Sequence, residues 1–231
     1  MSEVRPGSIR ACVFDAYGTL FDVHSVAALA ERLFPGRGDA ISYLWRTKQI
    51  EYTWLRTMSG KYKTFWEVTE DGLVFTAKRL GLDLTPEKKT ALMEQYLRLD
   101  AFPENLGVLK ELKGMGLRLA ILSNGNPPML EAAVRSAGME GLFEALLSVD
   151  SVKRFKTAPE VYQLAVDRFG VGAAEIGFVS SNGWDAAGAT WFGFTTFWVN
   201  RAGNPPEELG AVPAGQGETL AELVGFAKAH T

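Results

Sequence analysis

Ala11-Cys12-Val13-Phe14-Asp15-Ala16-Tyr17-Gly18-Thr19-Leu20 is the stretch on which the fold turns. Ala11 to Phe14 is apolar without alternation, which is the mark of a strand covered on both faces, as in a parallel sheet. An acid follows at once. A carboxylate just past such a strand lies in the crevice where open α/β sheets bind ligands. Gly18 permits a sharp turn, and the Thr19 hydroxyl can bond the carboxylate of Asp15. Taken alone, Asp15 is equally well a turn former.

Four further short apolar runs end in small or polar residues: Arg118–Ser123, Ala145–Val149, Ile176–Ser181 and Thr195–Val199, with the first strand spanning Arg10–Phe14. Helical patterns separate them at Leu106–Lys113, Pro128–Ala137, Pro159–Phe169 and Trp184–Phe192. The alternation predicts an α/β fold, a doubly wound parallel sheet. One stretch breaks it. Residues 23–99 read as helices only, at Ile41–Met58, Lys63–Leu80 and Pro86–Leu99. The expected organisation is a core of residues 1–22 and 100–231 with a helical cap domain, 23–99, inserted after the first strand over the carboxyl ends of the sheet.

The chain has 231 residues, enough for one sizeable core and a smaller appended unit, and 47% of them are hydrophobic. Its formal net charge of −3 gives no basic excess for nucleic acid. The stretch before the first strand is polar and lacks a signal core, and no apolar run is long enough for a membrane helix. Cys12, within the apolar run, is expected to be a buried structural thiol. With no disulfide possible, the reading is a cytoplasmic protein that meets neither nucleic acid nor membrane. His24 and His230 have no triad partner in sequence.

Three more polar clusters follow predicted strands. Ser123-Asn124-Gly125-Asn126 brings a hydroxyl, amides and backbone N–H groups to a helix start, where anions bind; an ordinary N-cap reads the same way. Lys156 precedes the helix at Pro159 on the same side of the sheet and can set a fixed positive charge beside Asp15. Ser180-Ser181-Asn182-Gly183-Trp184-Asp185 supplies a second carboxylate. Four such clusters at strand ends converge on one place.

The order Asp15, Ser123, Lys156, Asp185 on this strand pattern resembles the haloacid dehalogenase superfamily. Most of its members are magnesium-dependent phosphatases with Asp-x-Asp in the first motif, where this chain has Tyr17, and with further acids in the fourth, where this chain has only Asp185. The closer resemblance is to the L-2-haloacid dehalogenases. It rests on Phe-Asp-Ala-Tyr-Gly-Thr-Leu at 14–20, Trp-Arg-Thr-Lys-Gln-Ile-Glu-Tyr-Thr at 45–53, Leu-Ser-Asn-Gly at 122–125, Lys-x-x-Pro-x-Val-Tyr at 156–162 and Ser-Ser-Asn-x-Trp-Asp at 180–185. Thr47, Ile50 and Thr157 stand where Gln, Leu and Pro are frequent in that family, differences that bear on substrate preference.

The resemblance implies hydrolytic dehalogenation of short-chain L-2-haloalkanoic acids without metal or cofactor. Asp15 would attack C2, invert it and become esterified. Arg46 and Asn124 would cradle the halide with an aromatic edge from Phe178 or Trp184. Ser123 would hold the substrate carboxylate. Lys156 would keep Asp15 charged. Asp185 would activate or orient the second-step water with Ser180 and Asn182, supported by Tyr162 and Thr19. Tyr17, Ile50, Phe65 and Trp184 would wall the pocket, with Thr47 beside Arg46. The apolar residues on several faces of the long cap helix, and the family's habit, imply a homodimer. The alternatives are a metal-dependent phosphatase on the same fold and a non-catalytic binding member. A fluoroacetate-type defluorinase is a remoter rival, because it relies on a histidine.

Overall fold

A computed structural model describes residues 8–231. The expectation for the N-terminal stretch falls mostly outside them, as does the side chain of His24. Strand β1 (Ala11–Phe14) has no exposed residue. It lies inside a six-stranded sheet with β4 (Arg118–Ser123), β5 (Ala145–Ser148), β6 (Ile176–Ser180), β7 (Thr195–Val199) and β8 (Gly215–Gly217). The order is β5-β4-β1-β6-β7-β8, and every neighbouring pair is parallel. From β1 the chain goes to β4 and β5 on one side and then crosses to β6 on the other. The strand order therefore reverses between β1 and β6, which places a ligand crevice at their carboxyl ends. Asp15 and Asn182 both emerge there.

The sheet is flanked by helices α5 (Asn105–Gly114), α6 (Pro127–Ser136), α7 (Pro159–Phe169), α8 (Gly183–Phe192) and α9 (Leu223–His230). The doubly wound α/β expectation holds. Edge strand β8 escaped the sequence reading because Gly215-Gln216-Gly217 carries no apolar signal.

Between β2 (Phe21–Asp22) and β3 (Asp100–Ala101) lie four helices: α1 (His24–Leu33), α2 (Gly38–Ser59), α3 (Phe65–Leu80) and α4 (Pro86–Gln95). β2 and β3 pair antiparallel, Phe21 with Ala101 and Asp22 with Asp100, so the chain leaves and re-enters the sheet through one two-stranded stalk. Buried Asn105 braces its base, donating to the carbonyls of Thr19 at 3.3 Å and Leu20 at 2.9 Å.

The helices follow local chemistry. Thr64 and Glu67 form a capping box at the start of α3. α2 ends at Gly60, whose φ of 65° is left-handed, a conformation glycine adopts without a Cβ penalty. α2 and α3 approach closely at Gly72, where an added Cβ would stand 3.3 Å from both the Trp45 ring and the Gln49 nitrogen. Buried Trp45 donates its indole N–H to the Thr69 carbonyl at 2.7 Å. The bonds that seat the helical segment on the rim of the sheet include three away from Asp15. The Trp66 N–H donates to Asn126 at 3.1 Å, the Phe155 N–H to the Thr57 hydroxyl at 2.9 Å, and the Tyr62 hydroxyl to Asp150. Among the described residues no helix is long and apolar enough to cross a membrane.

Candidate active site

The Asp15 N–H donates to Val179 O at 2.8 Å, so the backbone continues the β1–β6 pairing and the side chain emerges between the two strand ends. Gly18, at φ 87°, turns the chain back so that Thr19 comes under the carboxylate. The Thr19 hydroxyl donates to Asp15 Oδ2 at 3.1 Å and accepts from the Ser181 N–H at 2.8 Å. Asn182 Nδ2 donates to the same carboxylate oxygen at 2.9 Å. Lys156 Nζ reaches the other, Oδ1, at 3.0 Å, and Asp185 Oδ2 at 2.8 Å. Tyr162 completes the group by donating its hydroxyl to Asp185 Oδ1 at 2.8 Å.

Lys156 and Asp185 are fully buried, and Asp15 is 6% exposed. Burial alone pushes the Lys156 ammonium down. The charges of Asp15 and Asp185 and their hydrogen bonds more than offset it, and its pKa stands above the ordinary lysine value. Burial pushes the Asp185 carboxyl up, against the pull of Lys156 and with the push of Asp15. The Lys156 ammonium also lies 5.0 Å from the centre of the Phe178 ring, a cation–π contact.

Asp15 faces a small cavity of about 10 Å³, room for at most one water. Its walls are Tyr17, Arg46, Ile50, Thr53, Phe65, Ser123, Asn124, Asn182 and Trp184 beside Asp15 itself. Arg46 enters from α2 and donates to Gln49 Oε1 at 2.6 Å and to Asn182 Oδ1 at 3.2 Å. Ser123, fully buried, accepts from the Gly125 N–H at 3.1 Å, which leaves its own proton for an incoming anion. Asn124 accepts the Lys156 N–H on Oδ1 at 3.0 Å, so its NH2 group remains for a ligand. Ser180 does not line the cavity. Its hydroxyl accepts the Asn182 N–H at 3.2 Å and so fixes the turn that aims Asn182. Asp185 and Tyr162 also stand behind the wall, and Lys156 joins them to Asp15.

Two expectations are corrected. Thr47 is exposed and donates to Tyr43 O at 2.8 Å; it does not face the cavity. Successive helical residues are rotated by about 100°, so the neighbour of Arg46 points elsewhere, while the i+3, i+4 and i+7 positions share its face. Those positions are Gln49, Ile50 and Thr53; Ile50 was expected at the wall and stands there, and the helical period counted from Arg46 would have found the other two. Phe178 is no halide edge: it is fully buried beneath Lys156, and Trp184 is the indole at the wall. Ser181 was also missed, and so was Gly188. An added Cβ at Gly188 would stand 2.5 Å from Thr157 Cγ2 and 2.7 Å from the Tyr162 hydroxyl. No sequence signal marks that approach.

A fold with an aspartate ending its central strand, under a helical insertion and against a buried lysine, defines a hydrolase of the haloacid dehalogenase-like class. The family model so described matches residues 9–193. Among curated proteins, the (S)-2-haloacid dehalogenase of Pseudomonas sp. (strain YL) is 50% identical over 94% of this chain and 93% of its own. The chain belongs to the L-2-haloacid dehalogenase family. Two solved structures agree. The L-2-haloacid dehalogenase RSc1362 is 59% identical, with a TM-score of 0.95 over 96% of this chain and 99% of that one. The L-2-haloacid dehalogenase from Xanthobacter autotrophicus, solved with chloropropionic acid covalently bound, is 39% identical, with a TM-score of 0.91 over 96% and 100%.

Gly188→Ala tests the packing behind the lysine. The methyl group forces Tyr162 off Asp185, so denaturant unfolding should show a loss of about 1–3 kcal/mol. Turnover should fall more than substrate affinity does. Unchanged turnover would show that Tyr162 and Asp185 do not act through Lys156.

Proposed function

We propose that the protein hydrolyses short-chain L-2-haloalkanoic acids to D-2-hydroxy acids. The observation that carries the reading is Asp15 at the wall of a small cavity between the sheet and the helical segment, paired at 3.0 Å with a fully buried ammonium. The roles of individual residues are part of the proposal. An Asp15 oxygen attacks C2 from the side opposite the halide. The C–O bond forms, the carbon–halogen pair leaves with the halide, and C2 inverts. Arg46 and the Asn124 amide receive the halide beside the Trp184 edge, and Ser123 donates to the substrate carboxylate. Water then adds to the carboxyl carbon of the ester and releases the hydroxy acid. Asp185 takes the proton of that water; a raised carboxyl pKa suits a base, and each of its oxygens keeps a lone pair beyond the bonds already made. Asn182, aimed by Ser180, places the water, and Thr19 and Tyr162 hold the two carboxylates.

The chemistry asks for no metal. Among the described residues no group of three or more His, Cys, Asp or Glu side chains is placed to hold one. Lys156 is the positive charge that the chain itself sets beside Asp15 and Asp185.

The cavity is too small for a six-heavy-atom acid, so residues 23–99 act as a cap domain that lifts Arg46, Ile50 and Phe65 away from the sheet for entry. A second copy of the chain would cover the apolar side of α2, where Tyr43 is 77% and Met58 75% exposed beside Trp54 and Leu55. The protein is read as cytoplasmic. Its one cysteine, Cys12, is buried, and burial pushes the thiol up to about 12, leaving it inert in a reducing compartment.

The enzyme, incubated with each enantiomer of 2-chloropropionate and a chelator, should release chloride from the L form only and yield D-lactate. Retained configuration, or activity lost to the chelator, would defeat the mechanism. In labelled water a single turnover should leave the label on Asp15 and none in the lactate. Label in first-turnover lactate would mean that water attacks C2 directly.

The acid limb of the rate profile should lie above the ordinary aspartate value of 3.8, because the raised Asp185 pKa means the base is protonated earlier as pH falls. The alkaline limb should lie above 10.5, because the raised Lys156 pKa keeps the ammonium charged until then. An alkaline loss near neutrality would show that Lys156 is not the charge that matters. Light scattering should give the mass of two chains; a mass of one would end the dimer reading.

A further inference from the structure

A row of hydrogen bonds inside the helical segment has one possible direction of donation. Thr69 donates its hydroxyl to Phe65 O at 2.7 Å. That proton is spent, so at 2.6 Å from Gln49 Nε2 the hydroxyl oxygen can only accept. The Gln49 amide is thereby oriented with NH2 toward α3 and its oxygen outward. Arg46, which has donors only, gives a proton to that oxygen at 2.6 Å. On its other side Arg46 donates at 3.2 Å to Asn182 Oδ1, and this orients the second amide, whose NH2 donates to Asp15 at 2.9 Å. The guanidinium is thus held between two amides that each present oxygen to it. Gln49 and Thr69 are fully buried, and Gln49 makes no wall of the cavity.

We propose that Gln49 is the positioning residue for the leaving halide. Oriented by Thr69, its amide fixes the guanidinium of Arg46 from behind, so that a remaining N–H edge is directed at the place where the halide departs. The inference rests on Arg46 as the halide holder. A guanidinium on a long side chain loses rotamer entropy when it is fixed. Fixing it before the reaction removes that cost at the moment charge develops on the halogen. The amide oxygen does this without a charge. A carboxylate at 49 would still bond Arg46 but would cancel its field and has no proton for the Thr69 oxygen, and glutamine is the side chain that holds the cation while leaving it free to attract an anion.

The experiment compares Gln49→Met, Gln49→Glu and Thr69→Val with Arg46→Ala, measuring turnover of L-2-chloropropionate, inhibition by added chloride and bromide, and thermal melting. Gln49→Met should lower kcat by about tenfold, the worth of one hydrogen bond to a charged group. It should raise the halide inhibition constants by a similar factor while KM moves little. Gln49→Glu should weaken halide inhibition further, although it restores a bond to Arg46. Thr69→Val keeps the shape and frees the amide to turn, and should act as Gln49→Met does, even if that variant melts early. Thr69→Ser should restore the parent's behaviour. Halide inhibition unchanged in Gln49→Met, Gln49→Glu and Thr69→Val, but lost in Arg46→Ala, overturns the inference and leaves Arg46 as the halide holder. Inhibition unchanged in Arg46→Ala as well overturns the halide role on which the inference rests.

Discussion

The ammonium of Lys156 has no contact with solvent and is held by two carboxylates, Asp15 at 3.0 Å and Asp185 at 2.8 Å. An isolated charge in that position costs several kcal/mol, and the cost is offset only where geometry and further hydrogen bonds are good. The surrounding structure supplies both. Phe178 lies under the ammonium, Tyr162 holds Asp185, and Thr19 and Asn182 hold Asp15. Even the Lys156 N–H is engaged, by Asn124. Asp15, Thr19, Asn124 and Asn182 come from the carboxyl end of a strand or the turn after it, Phe178 lies within β6, and Tyr162 and Asp185 stand in the first turns of α7 and α8, so the sheet order is what permits the pair to exist. The group carries two negative charges and one positive. The nearby Arg46, arriving on α2, balances the excess. Electrostatics thus gives the helical segment a reason to close on the sheet, beyond the apolar contacts of Ile50 and Phe65.

Two helix starts show where this arrangement takes precedence over local stability. Asn126 precedes α6 and Asn182 precedes α8, positions where asparagine ordinarily bonds the helix's own free N–H groups. Neither does so. Asn126 instead accepts the N–H of Trp66 from the helical segment, and Asn182 bridges Asp15 and Arg46. One side chain of each helix start is diverted from its own helix to join sheet and cap. Such departures from the local rule concentrate at functional sites. Asn182 thereby links the side chain of Arg46 on α2 to one of the bonds that orient Asp15.

The sheet was legible because period and burial agree: Ala11–Phe14 and Leu119–Leu122 are apolar without alternation, and both proved covered on both faces. Element edges were less so. The last cap helix was expected to run to Leu99 but stops at Gln95, since Tyr96 to Arg98 turn toward the stalk. The polar residues around Asp15 were legible because each follows a strand end, and strand ends share one side of a parallel sheet. The residues on α2 were harder. Arg46 came from the resemblance, and adjacency in sequence then suggested Thr47, which helical rotation turns away. Gln49 reads as a surface residue in a helix; only the packing of α2 on α3 at Gly72 makes it interior. Gly188 was silent, because the need for a missing side chain arises from Thr157 and Tyr162, which reach it across the fold.

Position 17 shows why one fold can work at carbon or at phosphorus. A phosphatase must protonate a leaving alkoxide, and an acid two residues after the nucleophile serves that purpose. A halide is the anion of a strong acid and leaves without a proton. What it needs is attraction, and on the proposed reading the charge of Arg46 supplies it. Tyr17 is 3% exposed and lines the cavity, and burial pushes its hydroxyl well above the ordinary tyrosine range, so it stays neutral. A second carboxylate at this place would add a third negative charge around a single ammonium and require a further cation. A neutral ring instead adds apolar wall to the cavity and leaves the lysine to two carboxylates. The tyrosine and the lysine form one choice: with an uncharged side chain at 17, the ammonium faces two carboxylates and not three.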